Sequence, residues 1–489
     1  MLFNSLDFIF FFPVVTLIYF LLPHRFRWLH LLVASCVFYM YFVPVYILIL
    51  FLTIGIDYAA GILIESATDP ARRKRWLILS IVANVGVLCV FKYYNFFIGN
   101  VDAMFAAAGM KSYIPLLNII LPIGLSFHTF QAMSYTIEVY RGNQPAERHL
   151  GIYALYVMFY PQLVAGPIER PQNLLHQFRE VHNPEYERIV AGLRLMLWGL
   201  IKKVVIADRI GTVTDPIFNH PHAYSALGLY MGVALFHVQV FCDFSAYSDI
   251  AIGSARVMGF KLMTNFNMPF HARTVSEFWR RWHISLSSWF RDYVYLPLGG
   301  NKEGNFKTYR NLFFVCLLSG LWHGAGWLFI IWGLLQGAYM IVGHMTKKLR
   351  KRINDTVGIS SVKWLDHGLD IVITFSLTAF ARIFFRGKNM DDAWYFIKKL
   401  KDLPREIGLF LSTGKLGFTH LPQFRSVLLP VFALIVLMEM AHLLKIKYDL
   451  QNTFSQRPAA IRWTLYFTGL ILLTFFGVYD NKQFIYFQF

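Results

Sequence analysis

Apolar runs recur along the whole of this chain, and a run of about 17–25 residues is the length that crosses the ~30 Å hydrocarbon core of a bilayer as a helix. They fall near 7–22, 29–43, 45–64, 77–97, 114–138, 151–165, 190–206, 224–255, 311–343, 368–385 and 426–445, with a further apolar tail at 463–478. The runs at 29–43 and 151–165 are short and read as re-entrant or interfacial segments, so we expect about eleven transmembrane helices. Composition agrees: 56% of residues are hydrophobic and 15% charged, against about 25% charged in ordinary soluble proteins. Apolar surface on this scale needs lipid to cover it. The sequence therefore predicts an all-α, multi-pass membrane protein.

The polar stretches, near 166–189, 256–310, 346–367 and 386–425, are too short to form a soluble domain, and 1–489 reads as one membrane-embedded domain. The opening MLFNSLDFIFFFPVV has neither a basic n-region nor a small-residue cleavage site, and is expected to be a retained first span.

A net charge of +18 raises the question of nucleic acid. The basic residues come in short clusters beside apolar spans, however, such as Arg72-Arg73-Lys74-Arg75 and Lys347-Lys348 with Arg350-Lys351-Arg352. Such clusters mark the cytoplasmic side of a membrane protein, which makes 346–367 a basic cytosolic linker. No basic domain with interleaved aromatics is present, so nucleic-acid binding is excluded. Cys36, Cys89, Cys242 and Cys316 form no CxxC pair, and no metal site is signalled.

Within the run 311–343, SGLWHGAGW (Ser319 to Trp327) places a titratable ring among tryptophans and glycines. A histidine inside a hydrophobic span is costly unless it meets a partner or a cavity, so His323 is a functional candidate. Gly320 and Gly324, and then Gly333 and Gly337, form two GxxxG patterns that permit close helix packing. On one straight helix His323 would lie about 36 Å from Lys347, beyond a single bilayer core. Because Lys302, Lys307 and Arg310 flank the other end, a break at Gly324–Gly326 is predicted, with His323 at mid-depth.

SEFWRRWHISLSSWFRDYVYLPLGGN, Ser276 to Asn301, reads as an amphipathic helix N-capped by Ser276. Phe278, Trp282, Leu286, Trp289 and Tyr293 share one face. Arg280, His283, Ser287 and Arg291 share the other. The arginines alone would suit a membrane-surface helix; a histidine on their stripe points to chemistry. FCDFSAYSDIAIG, Phe241 to Gly253, puts Asp243 and Asp249 at membrane depth beside Tyr247, Ser245 and Ser248, with Arg256 or an arginine of the preceding segment as partner. Three further signals read as structural: LPIGLSFHTFQAMSY with His128 and Gln131, the turn QLVAGPIERPQ with Glu169 and Arg170 placed to pair, and RIFFRGKN with Arg382 and Arg386 one helical turn apart.

Taken together, FWRRWHISLSSWFRDYVYLPLGGN, LWHGAGW, DFSAYSDIAIGSARVMGF, LVAGPIERP and the ending FIYFQF resemble the membrane-bound O-acyltransferase (MBOAT) family, in particular its bacterial alginate O-acetyltransferase-like branch. That family also includes the D-alanyl transfer protein of teichoic acid modification and a peptidoglycan O-acetyltransferase. The resemblance implies a helical bundle around a central tunnel with re-entrant segments. It places the family's catalytic histidine on His323 and a second family histidine on His283. Arg280, Arg281, Arg291, Ser287, Asp243, Tyr247, Asp249, Trp322 and Gly324 fall among its donor-pocket or tunnel-wall positions.

The reaction implied is acetyl transfer from a cytosolic thioester, acetyl-CoA, to a hydroxyl of an exported polysaccharide such as alginate. No cofactor is bound permanently. A hydroxyl attacks a thioester poorly unless a base removes its proton, and a neutral imidazole suits that task near neutral pH. His323 is the expected base. His283 would polarise the thioester carbonyl, orient the acceptor or relay a proton, in that order, and Arg280, Arg281 and Arg291 would hold the CoA phosphates. The resemblance further implies a bacterial inner-membrane location, a separate extracytoplasmic partner of SGNH type and glycan-export machinery. Peptidoglycan O-acetylation and D-alanyl transfer are the alternatives within the family. A proton-coupled transporter is the alternative outside it, and a bis-histidine haem protein using His128, His237 or His323 is a second.

Overall fold

In the computed structural model, residues 1–111, 113–118, 122–413, 424–447, 454, 456–479, 484 and 485 are described, and every regular element among them is helical. Among the described residues, six helical stretches are long and apolar enough to cross a membrane: Pro44–Ser66, Pro70–Ala107, Ala226–Met258, Trp327–Met345, Lys363–Arg386 and Ala459–Phe476. Leu6–Leu21 and Leu428–Leu444 are shorter apolar helices. Large apolar side chains point outward along them, with Phe10 72%, Leu21 74%, Leu429 76% and Phe475 76% exposed, as a lipid-facing surface requires. Together with the family assignment given below, they make this a multi-pass membrane protein.

Several expected spans are interrupted, each for a local reason. The run 114–138 is helical only from Leu125, after Gly124 turns the chain at φ 77°. Residues 119–121 of that run lie outside the described residues. The run 151–165 holds only Leu150–Met158 and one turn after it, because Pro161 supplies no backbone N–H. The stretch 190–206 leaves the α-helix Tyr186–Leu200 for a wider π turn at Ile201–Ala207. The basic linker is not wholly irregular: Lys347–Thr356 forms a short helix with no buried residue.

The chain forms two compact units, Met1–Leu197 with Tyr247–Thr264, and Trp198–Ala246 with Asn265–Ile485. In the first, buried polar side chains fasten apolar helices to one another. The Asp57 carboxylate accepts from Ser80 Oγ at 2.6 Å and Asn84 Nδ2 at 2.9 Å, and Ser80 reaches Thr136 Oγ1 at 3.1 Å. Three helices are thereby joined by hydrogen bonds that cost most to leave unmade where water is absent. Glu169 is fully buried, accepting from Met263 N at 2.5 Å and from Asn173. Burial pushes its carboxyl up to about 7. Arg170 donates to the Ile168 carbonyl at 3.3 Å, and its charge acts on the Glu169 carboxyl against the effect of burial.

In the second unit the expected break is present. One helix runs Asn305–His323, the chain extends through Gly324 and Gly326, and a second helix runs Trp327–Met345. The glycines close this hairpin, although not as two GxxxG faces. A Cβ on Gly320 would stand 2.4 Å from the Phe329 carbonyl oxygen and 3.2 Å from Gly333 Cα. Gly337 instead meets Cys316, and Gly324 lies against the Phe329 ring. Backbone cannot yield as a flexible side chain can. Gly320→Ala is therefore expected to lower stability by about 1–3 kcal/mol, read as a lower melting temperature in detergent. Gly343→Ala, where nothing lies within 4 Å, is the matched control and should be nearly neutral. Equal melting temperatures for the two variants would contradict this packing.

Candidate functional site

His323 is the last residue of its helix, and its ring is 4% exposed. Three aromatic rings hold it edge-on: Trp332 at 4.8 Å, Trp322 at 4.9 Å and Phe385 at 5.4 Å between centroids. Such T-shaped contacts orient an imidazole. Trp322 precedes it in the same turn. Trp332 comes from the return helix and Phe385 from the end of Lys363–Arg386, so three helices fix one ring. The helix must end at His323 for this to happen, since a residue with a Cβ at position 324 would meet the Phe329 ring at 2.2 Å.

His283 does not lie on a continuous amphipathic helix. The segment splits into Val275–Arg281 and Ile284–Phe290, with Trp282 extended and His283 itself left-handed at φ 44°, ψ 55°. Positive φ in a bulky residue is held only by surrounding structure and is common at functional sites. The cap is Thr274, whose hydroxyl accepts from Glu277 N at 3.1 Å, and not Ser276. Thr274 starts the helix two residues earlier, and Glu277 in turn accepts from Arg273 N at 2.9 Å.

The kink separates His283 from the arginines expected to share its stripe. Arg280 and Arg291 are exposed, whereas His283 is fully buried. Arg291 pairs with Asp292 at 2.8 Å, and Arg281 pairs with Glu277 at 2.7 Å. Ser287 Oγ donates to the Trp282 carbonyl at 3.2 Å.

The hydrogen bonds of His283 fix its tautomer. Asn265 Oδ1 accepts from the Ser285 backbone N–H at 3.3 Å and lies 3.1 Å from His283 Nδ1. A backbone N–H can only donate, so the atom at that position is an oxygen, and Nδ1 carries the proton that bonds it. Nε2 is then the basic nitrogen. Burial lowers the pKa of this ring from 6.5 to about 3, so it is neutral at physiological pH. Trp322 lies between the two histidines, 6.0 Å from the ring of His283 and 4.9 Å from that of His323.

The remaining predicted residues fall elsewhere. Asp243 is buried and accepts from Lys203 Nζ at 2.7 Å and from the Ile485 backbone N–H at 2.7 Å. Its partner is a lysine of the π turn and neither Arg256 nor an arginine near His283. Lys203 also reaches Asp208 at 2.9 Å, and Lys202 donates to Ser245 at 2.7 Å. Two lysines in the apolar run WGLIKKVVIA were signal enough for a buried ion cluster, and the sequence reading passed over them. Tyr247 and Asp249 belong to the first unit, where Tyr247 packs on Phe3 at 4.6 Å and Asp249 is half-buried. Of the ending FIYFQF, only Phe484 and Ile485 lie within the described residues.

The residue that sequence reasoning most undervalued is Arg382. It is 2% exposed, and its guanidinium carbon lies 4.8 Å from the Trp282 ring, 5.0 Å from Phe385 and 5.9 Å from Trp332. Its Nε donates to His237 Nδ1 at 3.2 Å. His237 Nε2 therefore carries the ring proton and donates to Thr378 Oγ1 at 3.1 Å, whose own hydroxyl donates to the Thr374 carbonyl at 2.8 Å. The sequence reads Arg382 as structural, one turn from Arg386 at the end of a span; the helix carries its side chain inward.

The model of the membrane-bound O-acyltransferase family matches residues 144–360, which include both histidines. The chain is 40% identical to the probable alginate O-acetylase AlgI of Pseudomonas aeruginosa, over 81% of this chain and 74% of that protein. It is 35% identical to its namesake in Pseudomonas putida over the full length of both. Similarity to the peptidoglycan O-acetyltransferase of Helicobacter pylori is 34% identity, over 100% of this chain and 98% of the other. A teichoic acid D-alanyltransferase of Streptococcus thermophilus matches at 29% over 56% of this chain. A break that ends a helix on a buried histidine, with a second neutral histidine one ring away, thus lies in a chain that belongs to the membrane-bound O-acyltransferase family, whose members are acyltransferases.

Proposed function

We propose that this protein moves an acetyl group from acetyl-CoA in the cytosol to a hydroxyl of an exported cell-surface polysaccharide, alginate-like in kind. The observation that carries the reading is the pair of buried histidines bridged by Trp322, one at a helix break and one held as a fixed neutral tautomer. His323 takes the hydroxyl proton as the acceptor oxygen attacks the thioester carbonyl. His283 presents Nε2 as an acceptor, which suits orienting the hydroxyl or relaying its proton. That tautomer does not suit polarising a carbonyl, a task that needs a donor. Arg280, exposed at the end of its helix, is the better candidate for a CoA phosphate than Arg281, which is engaged by Glu277.

Relatives named for alginate and for peptidoglycan both match along most or all of the chain, so peptidoglycan is the second acceptor to test. The polysaccharide reading carries with it an inner-membrane location and a separate secreted SGNH-type partner that completes delivery.

Inverted membrane vesicles holding the protein, given acetyl-labelled CoA outside, decide the matter. The reading expects acceptor-dependent thiol release outside and labelled ester in the lumen, without any imposed ion gradient. A requirement for a proton gradient with no thioester consumption would support transport and overturn it.

A further inference from the structure

We propose that Trp332 and Arg382 together hold the oxygen of the thioester carbonyl as it becomes negative during acyl transfer. The inference rests on the transfer reading above and extends it to two residues of the same aromatic box. Trp332 is 1% exposed, and its indole Nε1–H has no acceptor among the described residues. Buried N–H groups are nearly always paired, and one left without an acceptor destabilises the fold. Its neighbour shows the ordinary solution, since Trp279 Nε1 donates to Gln336 Oε1 at 3.2 Å. A donor kept without an acceptor, on the ring that holds His323 at 4.8 Å, is placed for an oxygen that arrives with the substrate.

The second observation is independent of the first. Arg382 brings a permanent positive charge to the same rings, lying over Phe385 and near Trp332, both of which also contact His323. Aromatic faces partly offset the cost of burying a guanidinium, and its Nε donates to His237. The relay through His237 and Thr378 fixes the side chain's direction. In a site walled by rings and poor in water, a fixed cation and a fixed N–H act on developing charge far more strongly than in water.

The step balances. The acceptor oxygen forms a bond to the carbonyl carbon while its proton passes to His323, and the carbonyl π pair moves onto oxygen. Trp332 Nε1–H and the Arg382 guanidinium stabilise that oxyanion. Its collapse restores the carbonyl and breaks the C–S bond; the electron pair leaves on sulfur, which takes the proton from His323 as free thiol.

Trp332→Phe is the decisive variant, because it keeps a ring beside His323 and removes only the donor. Thiol release and ester formation are followed in purified full-length protein with acetyl-CoA, alongside equilibrium binding of acetyl-CoA and thermal melting. The expected result is a fall in kcat of about 10²–10³-fold, as for loss of one oxyanion donor, with acetyl-CoA affinity and melting temperature unchanged. Arg382→Gln should show the same split between kcat and KM, with Arg382→Lys intermediate. A kcat for Trp332→Phe within about threefold of wild type, or a loss that tracks a fall in melting temperature, would overturn the proposal. Wild-type protein that releases no thiol would instead overturn the transfer reading itself. Active wild type, inactive His323→Ala and fully active Trp332→Phe would sink this inference alone.

Discussion

His323→Ala is expected to lower acyl transfer by about 10²–10⁴-fold, the usual contribution of a positioned general base, while membrane abundance stays at the wild-type level. The two effects separate because Trp322, Trp332 and Phe385 enclose the ring edge-on, and Trp332 and Phe385 remain packed on each other at 5.3 Å without it. A methyl group in that space leaves a cavity at the end of a helix, where neighbouring rings can shift. His283→Ala should be less severe in kcat and more severe in stability. It empties a fully buried position at positive φ and removes the ring proton that bonds Asn265. Activity within tenfold of wild type in His323→Ala would contradict the assignment of the base.

The second large effect concerns folding. Lys203 is 1% exposed and serves two buried carboxylates, Asp243 and Asp208. Lys203→Met leaves both without their cation, and breaking a buried pair from one side costs about 3–5 kcal/mol. We expect the variant to be nearly absent from membranes and to melt far below wild type in detergent. Adding Asp243→Asn and Asp208→Asn removes the stranded charges and should recover much of the loss, because a neutral set need not be paired. Wild-type abundance for Lys203→Met alone would show that the cluster is not what holds the π turn against Asp243.

The distinction between these effects also explains what was legible in the sequence. The helix break was readable because two constraints met: the basic flanks of 302–310 and 347–352 lie too far apart for one straight span, and Gly324 and Gly326 lie where the excess must go. The burial of His323 and His283 was likewise readable, since both rings fall in apolar surroundings. The kink at His283 was not. Spacing alone fits Phe278, Trp282, Leu286, Trp289 and Tyr293 to one helical face, and nothing local forbids the helix from continuing. The turn is imposed from a distance, by Asn265, whose side chain accepts from His283 and Ser285 and whose carbonyl accepts from Ile284 N at 2.9 Å.

The inward course of Arg382 was not legible for a related reason. Cations at helix ends usually reach toward polar headgroups, and only the tertiary arrangement of Trp282, Phe385 and His237 turns this one inward. Several expected spans are interrupted because hydropathy does not register the prolines, π turns and left-handed glycines that end a helix within an apolar run. The run at 114–138 and its Gly124 make the point, as do 151–165 and Pro161.

The central claim is that a thioester and a hydroxyl exchange one acyl group at His323. The most direct measurement is a single-turnover experiment with purified protein, acetyl-CoA and an acceptor glycan, counting free thiol and new ester together. The account predicts one ester for each thiol in the wild type and neither product above background in His323→Ala. Ester formation by His323→Ala at the wild-type rate, or thiol release in the wild type with no ester formed, would contradict it.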